Sequence, residues 1–363
     1  MKIVIGADIV PKNPVVNELF AKGDINALFN DVVGAVKGTD RFIVNLECAL
    51  TACEQTIRKF GPCLKGDPKT ADTLKALGVT DVALANNHVF DFGVRGLTDT
   101  LDNLDRVGLP YTGVGNNEED ARKIYYFEQD SKTFALVNVC EHEYSYALPD
   151  RMGTNAFDPF VTMQDIRTAK KQADFVIVLY HGGKEHCRYP SPRLRNLCRE
   201  MVYCGADVVV AQHSHCIGCY EKFEGGHIVY GQGNLHFCIP EKTDELWTTS
   251  LLVELEIDDK IDIRFIPIVT GDKSIRLADD KEYERIMSSF NQRNEELKNG
   301  QWKAGWLAFC ESVNEQYKSV LFGEKASKDP EVKTQRLAHY LDCEAHLDVL
   351  HEIYPTWNQT NEK

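Results

Sequence analysis

Leu84-Ala85-Asn86-Asn87-His88-Val89-Phe90-Asp91-Phe92-Gly93 closes an apolar run, Val82 to Leu84, with a burst of amide, imidazole and carboxylate side chains. In an open α/β sheet, ligands bind beyond the carboxyl ends of the strands, so polar residues packed directly after an apolar run mark the working edge. Other apolar runs end in the same way. Lys2 to Ile5 leads to Gly6-Ala7-Asp8, Phe42 to Leu46 carries Asn45-Leu46-Glu47, Phe175 to Leu179 leads to His181, and Asp207 to Val210 leads to His213-Ser214-His215. Each is an oxygen or imidazole donor suited to Mn, Fe or Zn, and several strand ends deliver them to one edge. Taken one at a time, Asp8 and Glu47 read equally well as helix caps, Asn87 as a turn residue and His181 as a hydrogen-bonded core histidine.

Between these runs lie helical patterns at Thr70 to Leu77, Leu97 to Val107, Gln164 to Lys171 and Leu194 to Tyr203. With the strand-like runs Phe134 to Val139 and His227 to Tyr230, they predict an α/β fold of repeated β-α units. Thr249 to Ile257 and Ile261 to Ile268 alternate around Asp258-Asp259-Lys260 and predict a hairpin edging or capping the sheet. After Gly271 the texture changes to long charged helical stretches, Asp280 to Leu297 and Glu331 to Leu350. The expected organisation is a domain over 1–270 and a helical extension over 271–363. Trp302 and Trp306 would share a helix face buried against the main domain or a partner subunit, which makes these helices the expected route to an oligomer.

The 363 residues suffice for one large α/β domain or two smaller ones. A formal net charge of −14 disfavours general nucleic-acid binding, and a polyanion would be repelled unless local cations or metal ions reverse the field. Asp8 interrupts the first apolar run before an export signal can form, and no apolar run is long enough for a transmembrane segment, so a cytoplasmic location is expected. The 12 cysteines then read as reduced, small buried residues. Cys216 and Cys219 lack a second pair at zinc-ribbon spacing and are expected on a strand, with their thiols on opposite faces.

In order, Ile5-Gly6-Ala7-Asp8, Val44-Asn45-Leu46-Glu47, Leu84 to Gly93, His181-Gly182-Gly183-Lys184-Glu185, Ala211-Gln212-His213-Ser214-His215 and Tyr230-Gly231-Gln232-Gly233-Asn234 resemble the CapA capsule-synthesis family, also called the poly-γ-glutamate biosynthesis family. That family is similar in turn to calcineurin-like metallophosphoesterases. The resemblance spans the first two thirds of the chain and implies a four-layer αββα sandwich carrying two divalent metals. Asp8 and His215 would hold one metal, Asn87, His181 and His213 the other, and Glu47 would bridge them. His88, oriented by Asp91, would stabilise charge or protonate the leaving group. Val10 stands where such enzymes usually place a second histidine after the aspartate, which implies a weakened first site, and Glu47 stands where they carry aspartate. Capsule synthesis in that family usually goes with a membrane anchor, and none is visible.

The expectation is a metal-dependent hydrolase, a metal-bound hydroxide attacking a phosphoester or amide bond of a small or polymeric anionic substrate, in capsule or cell-surface polymer metabolism. The alternatives are a poly-γ-glutamate synthesis or processing protein and a non-catalytic, metal-stabilised binding protein; His88 and Asp91 argue against the last. Candidate substrate contacts are Lys65, with Arg58 and Lys59 in the same loop, then Glu185, His186 and Arg188, and finally Asn234. The bland reading of these charges is solvated loop. Glu141, His142, Glu143 and His236 are weaker pocket or supporting candidates.

Overall fold

A computed structural model describes residues 1–322 and 329–355; the remainder of the extension expected over 271–363 lies outside the described residues. Two sheets pack face to face between helical layers. The first sheet runs in the order Ile275–Leu277, Ile261–Thr270, Thr249–Ile257, Lys2–Ile9, Arg41–Leu46, Asp81–Ala83, Tyr111–Thr112, and Asn234–His236 also pairs with Lys2–Ile9. The second runs Tyr220–Phe223, Gly226–Val229, Val208–Gln212, Phe175–His181, Lys132–Cys140, Tyr125–Gln129.

Strand alternation explains why the central runs are apolar throughout. Ile3 and Ile5 face the second sheet, meeting Ile177, Leu179, Val208 and Val210, while Val4 turns outward onto Phe20, Leu74 and Leu104 of the flanking helices. Val176, Val178 and Tyr180 likewise point out beneath helices Pro159–Gln172 and Pro192–Tyr203. Parallel strands buried on both faces lose the polar half of the alternating pattern. The result is the expected αββα sandwich.

Thr249–Ile257 pairs antiparallel with Lys2–Ile9, so the hairpin extends the first sheet from beside its first strand. Sheet pairing continues past Thr270 into Ile275–Leu277. Two local expectations are corrected. Cys216 and Cys219 are both buried, yet they lie outside any strand, in a segment that carries the isolated Ile217–Gln232 bridge, because the chain turns sharply at the positive-φ residues His213 and His215. The stretch expected as one helix from Glu331 to Leu350 is two, Pro330–Asp342 and Glu344–Ile353, broken at Cys343, whose extended backbone interrupts the helical hydrogen bonds.

The C-terminal helices Asp280–Asn299, Trp302–Leu321, Pro330–Asp342 and Glu344–Ile353 pack largely over the outer side of the second sheet. Trp302, Trp306, Tyr317 and Tyr340 are buried in the same apolar cluster as Tyr180 and Met201, so the tryptophans are consumed within the chain. Polar ties pin the layer at its rim: Arg58 to Glu331 at 2.8 Å, His142 Nδ1 to Glu344 at 2.7 Å, and Asp348 to Ser191 at 2.6 Å and Arg193 at 2.8 Å. Among the described residues no helix is long and apolar enough to cross a membrane.

Candidate metal centre

Parallel pairing sets the site. Asp8 is in register with Asn45 on one side and Asn234 on the other, and His181 is in register with Gln212, one residue before His213. The carboxyl ends of both sheets thus open on one point. His181 Nε2 lies 3.1 Å from Asn87 Oδ1, 3.2 Å from His213 Nδ1 and 3.3 Å from Glu47 Oε1. Donors bound to one ion at about 2.1 Å sit about 3.0–3.4 Å apart; the three distances from His181 have that spacing, while His213 Nδ1 and Glu47 Oε1 stand wider, at 4.0 Å. Beside them Asp8, Glu47 and His215 form a second group of potential ligands, with His215 Nδ1 3.5 Å from Asp8 Oδ2. Glu47 belongs to both groups.

Supporting amides orient these donors. Asn45 Nδ2 reaches Asp8 Oδ1 at 2.7 Å and His181 Nδ1 at 3.1 Å, and Asn86 Nδ2 holds Asn45 Oδ1 at 3.1 Å. Asn234 Oδ1 takes His215 Nδ1 at 2.8 Å, which fixes the ring. His213 and His215 adopt φ of 82° and 53°. Left-handed backbone at two histidines is costly, and it projects both rings toward the centre. Gly231 (φ 131°) leaves room for that turn, since a Cβ there would stand 2.6 Å from Ser214 Oγ.

The donor set calls for cations. Asp8 Oδ2 and both Glu47 oxygens are buried without a hydrogen-bond partner. Uncompensated buried charge of this kind costs several kcal/mol per ion, roughly, and bound cations remove the penalty. Burial, then the neighbouring Asp8, pushes the Glu47 carboxyl up to about 7. Burial alone would also raise Asp8, but His215, whose Nδ1 stands 3.5 Å from Oδ2, and the charge of His181 hold it below the usual carboxylate range. Burial would lower His215, and the carboxylates Glu47 and Asp8 instead lift it to about 10. These residues fit divalent metals.

His88 lies beside the centre and outside both ligand groups. Its Nδ1 is 2.6 Å from Asp91 Oδ2, an oxygen that also accepts the Leu64 N–H at 2.7 Å, while Asp91 Oδ1 takes Lys59 Nζ at 2.6 Å. The Lys59 side chain is buried, and its ammonium sits 3.3 Å from His88 Nδ1.

The centre opens into a cavity of about 280 Å³ lined by His88, Asn87, His213 and His215, together with Glu185 and His186. Lys65, Arg188 and Asn234 are not on its wall. Lys65 turns to Glu54 at 2.7 Å and the Cys53 carbonyl, Arg188 reaches toward Glu245, and Asn234 holds His215 from behind. Lys59 is the cation of that loop that faces the site. His236 points away, its ring packed between Phe20 and Phe29. Val10 is fully buried in the apolar cluster with Val16 and Phe20. Among the wall residues that escaped sequence reasoning are Lys12, Lys184, Lys242 and Trp247. Lys184 lies inside the His181 to Glu185 motif, a signal that was available; Lys12 and Lys242 come from irregular chain and Trp247 from the short helix Glu245–Thr248, all without a motif.

A two-sheet sandwich with clustered carboxylate, amide and imidazole donors at its common strand edge is a metallophosphoesterase-like architecture. Residues 2–238 match the model of the bacterial capsule synthesis protein PGA_cap. The chain belongs to that family. It is 31% identical over 205 residues to the capsule biosynthesis protein CapA of Bacillus anthracis, covering 54% of this chain and 48% of that protein. It is 33% identical over 188 residues to the PGA biosynthesis protein CapA of Bacillus subtilis, covering 51% of this chain and 48% of that protein. A probable polyglutamine synthesis accessory protein of Mycobacterium tuberculosis is 26% identical, with 54% and 55% covered. The chain thus spans about half the length of these relatives. A solved structure of a putative 5'-nucleotidase from Staphylococcus aureus in complex with alpha-ketoglutarate aligns over 78% of this chain and 57% of that chain, at 17% identity and a TM-score of 0.46.

Proposed function

We infer that this chain is a metal-dependent hydrolase of a phosphoester or amide bond in an anionic substrate, acting in capsule or poly-γ-glutamate metabolism as the names of its relatives suggest. The observation that carries the reading is the convergence of Asn87, His213 and Glu47 donors at 3.1–3.3 Å from His181 Nε2, beside buried carboxylate oxygens without a hydrogen-bond partner. Asp8, Glu47 and His215 would hold one metal and Glu47, Asn87, His181 and His213 the other. Bound there, Mn, Fe or Zn would supply Lewis-acid polarisation and lower the pKa of water. His88, with Nδ1 engaged by Asp91, has Nε2 left to stabilise developing charge or to protonate the leaving group. Lys59 keeps Asp91 ionised and adds positive charge near the reacting group.

Four lysines against two glutamates on the cavity wall favour an anion despite the net charge of −14. The test is metal content together with hydrolysis of bis(p-nitrophenyl) phosphate and a γ-glutamyl p-nitroanilide. Near two metals per chain, and turnover of either compound that disappears in His213→Ala, is the expected result. Metal uptake with no turnover of either compound would instead favour the accessory, binding-protein role.

A further inference from the structure

The far wall of the cavity is built by residues that lie outside the family match to 2–238. Gln316, His339, Tyr340, Cys343 and His346 come from the C-terminal helices and face the metal centre across the cavity. The polar ties at Glu331, Glu344 and Asp348, with Trp306 Nε1 on Glu352 at 3.0 Å, make this wall part of the packed molecule rather than a loose flap.

The wall also presents an ordered donor. Tyr317 OH is 2.7 Å from His346 Nδ1, and His346 Nε2 is 3.1 Å from His339 Nε2. Burial keeps the Tyr317 phenol protonated. Among the described residues the hydroxyl has no other acceptor, so it donates to His346, which then carries its proton on Nε2 and donates to His339. His339 must therefore carry its own proton on Nδ1. That N–H lies 3.7 Å from Glu143 Oε1, beyond hydrogen-bond length, and remains available to a ligand. Gln316 lies alongside and donates one of its two amide hydrogens to Tyr340 OH at 2.6 Å, which leaves the second for a ligand. Nearby, Lys12 and Lys184 line the cavity without an ion-pair partner among the described residues.

We propose that the C-terminal helices form the specificity wall of the cavity, so that the site admits a small anion or the end unit of a chain and contacts its distal anionic group through His339 and Gln316. The proposal rests on the hydrolase reading for the position of the reacting group. The cavity, of about 280 Å³, lies at the small end of ligand sites, and these helices narrow it on one side.

The test is calorimetric binding of orthophosphate and pyrophosphate to the full, Mn-loaded chain, comparing wild type with His339→Ala and Gln316→Ala, with metal content and thermal midpoint measured on the same samples. Orthophosphate serves as the probe of the metals alone and pyrophosphate as the probe of contact with the wall. The expected result is a tenfold or greater loss of pyrophosphate affinity in His339→Ala, a smaller loss in Gln316→Ala, and orthophosphate affinity within twofold of wild type. Equal pyrophosphate affinity in all three proteins, equal losses for both anions, or no pyrophosphate binding by the wild type overturns the wall. Metal content reports on the hydrolase reading separately. A chain that takes up no metal but still loses pyrophosphate on His339→Ala keeps the wall and discards hydrolysis.

Discussion

Asp91 Oδ2 stands 2.6 Å from His88 Nδ1 while its other oxygen binds Lys59 Nζ at the same distance. One buried carboxylate thereby orients an imidazole and fixes a cation beside Asn87, a proposed metal ligand. Its charge is held low in pKa against the pull of burial by His88 and Lys59.

His88→Asn is expected to retain the wild-type metal content and to lose turnover by about 10²–10⁴-fold, the usual contribution of a positioned acid or charge stabiliser. Asp91→Asn should lower kcat in the same direction. Elemental analysis beside steady-state kinetics checks both, and parallel loss of metal in His88→Asn would assign the ring a structural role.

Glu47 has two buried oxygens without partners. Glu47→Gln should therefore abolish the rise in thermal midpoint that added Mn gives the wild type. Differential scanning calorimetry with and without EDTA measures this. An unchanged metal-induced rise in the variant would remove Glu47 from the ligand set.

Gly231→Ala is expected to cost about 1–3 kcal/mol, because alanine resists the positive φ and its Cβ meets Ser214. The strain falls on the turn carrying His213 and His215, so metal affinity should fall with stability. Urea titration and metal competition test the two effects together.

His142 is lifted above its ordinary pKa, first by its hydrogen bond to Glu344, against the opposing effect of burial, with the charges of Glu344, Asp342 and Glu141 adding to the lift. A folded pKa raised above the unfolded one gives stabilisation that is fully present below about pH 6.5 and fades as pH rises through the folded value. The destabilisation caused by His142→Ala should accordingly be larger at pH 6 than at pH 9. Thermal midpoints at the two pH values, with proteolysis of the C-terminal helices as a second readout, decide it.

Much of the sheet framework was legible because strands buried on two faces leave long β-branched runs, as in Phe175–His181 and Val208–Gln212. The ligand-type residues were legible as a group because each follows such a run. Lys59 and Lys65 were not separable by sequence: both follow Glu47 without a motif, and only the structure puts Lys65 on the short strand Lys65–Gly66 and Lys59 against Asp91. His339 and His346 carried no signal at all. They sit on two helices whose break at Cys343 the helical pattern concealed, and nothing local to them indicates a distant cavity.

By itself, the order of apolar runs and the polar residues ending them determined the α/β class, the family resemblance and the set of residues at the strand edge. These are properties of short stretches, set by strand alternation and by what must stop being buried when a strand ends. Tertiary structure alone decided that the two sheets bring Glu47 within reach of both donor groups, that Asn234 supports rather than faces the cavity, and that the C-terminal helices form its far wall. Each of those outcomes depends on the packing of segments far apart in the chain, where burial and hydrogen-bond geometry are set by neighbours that no local pattern contains.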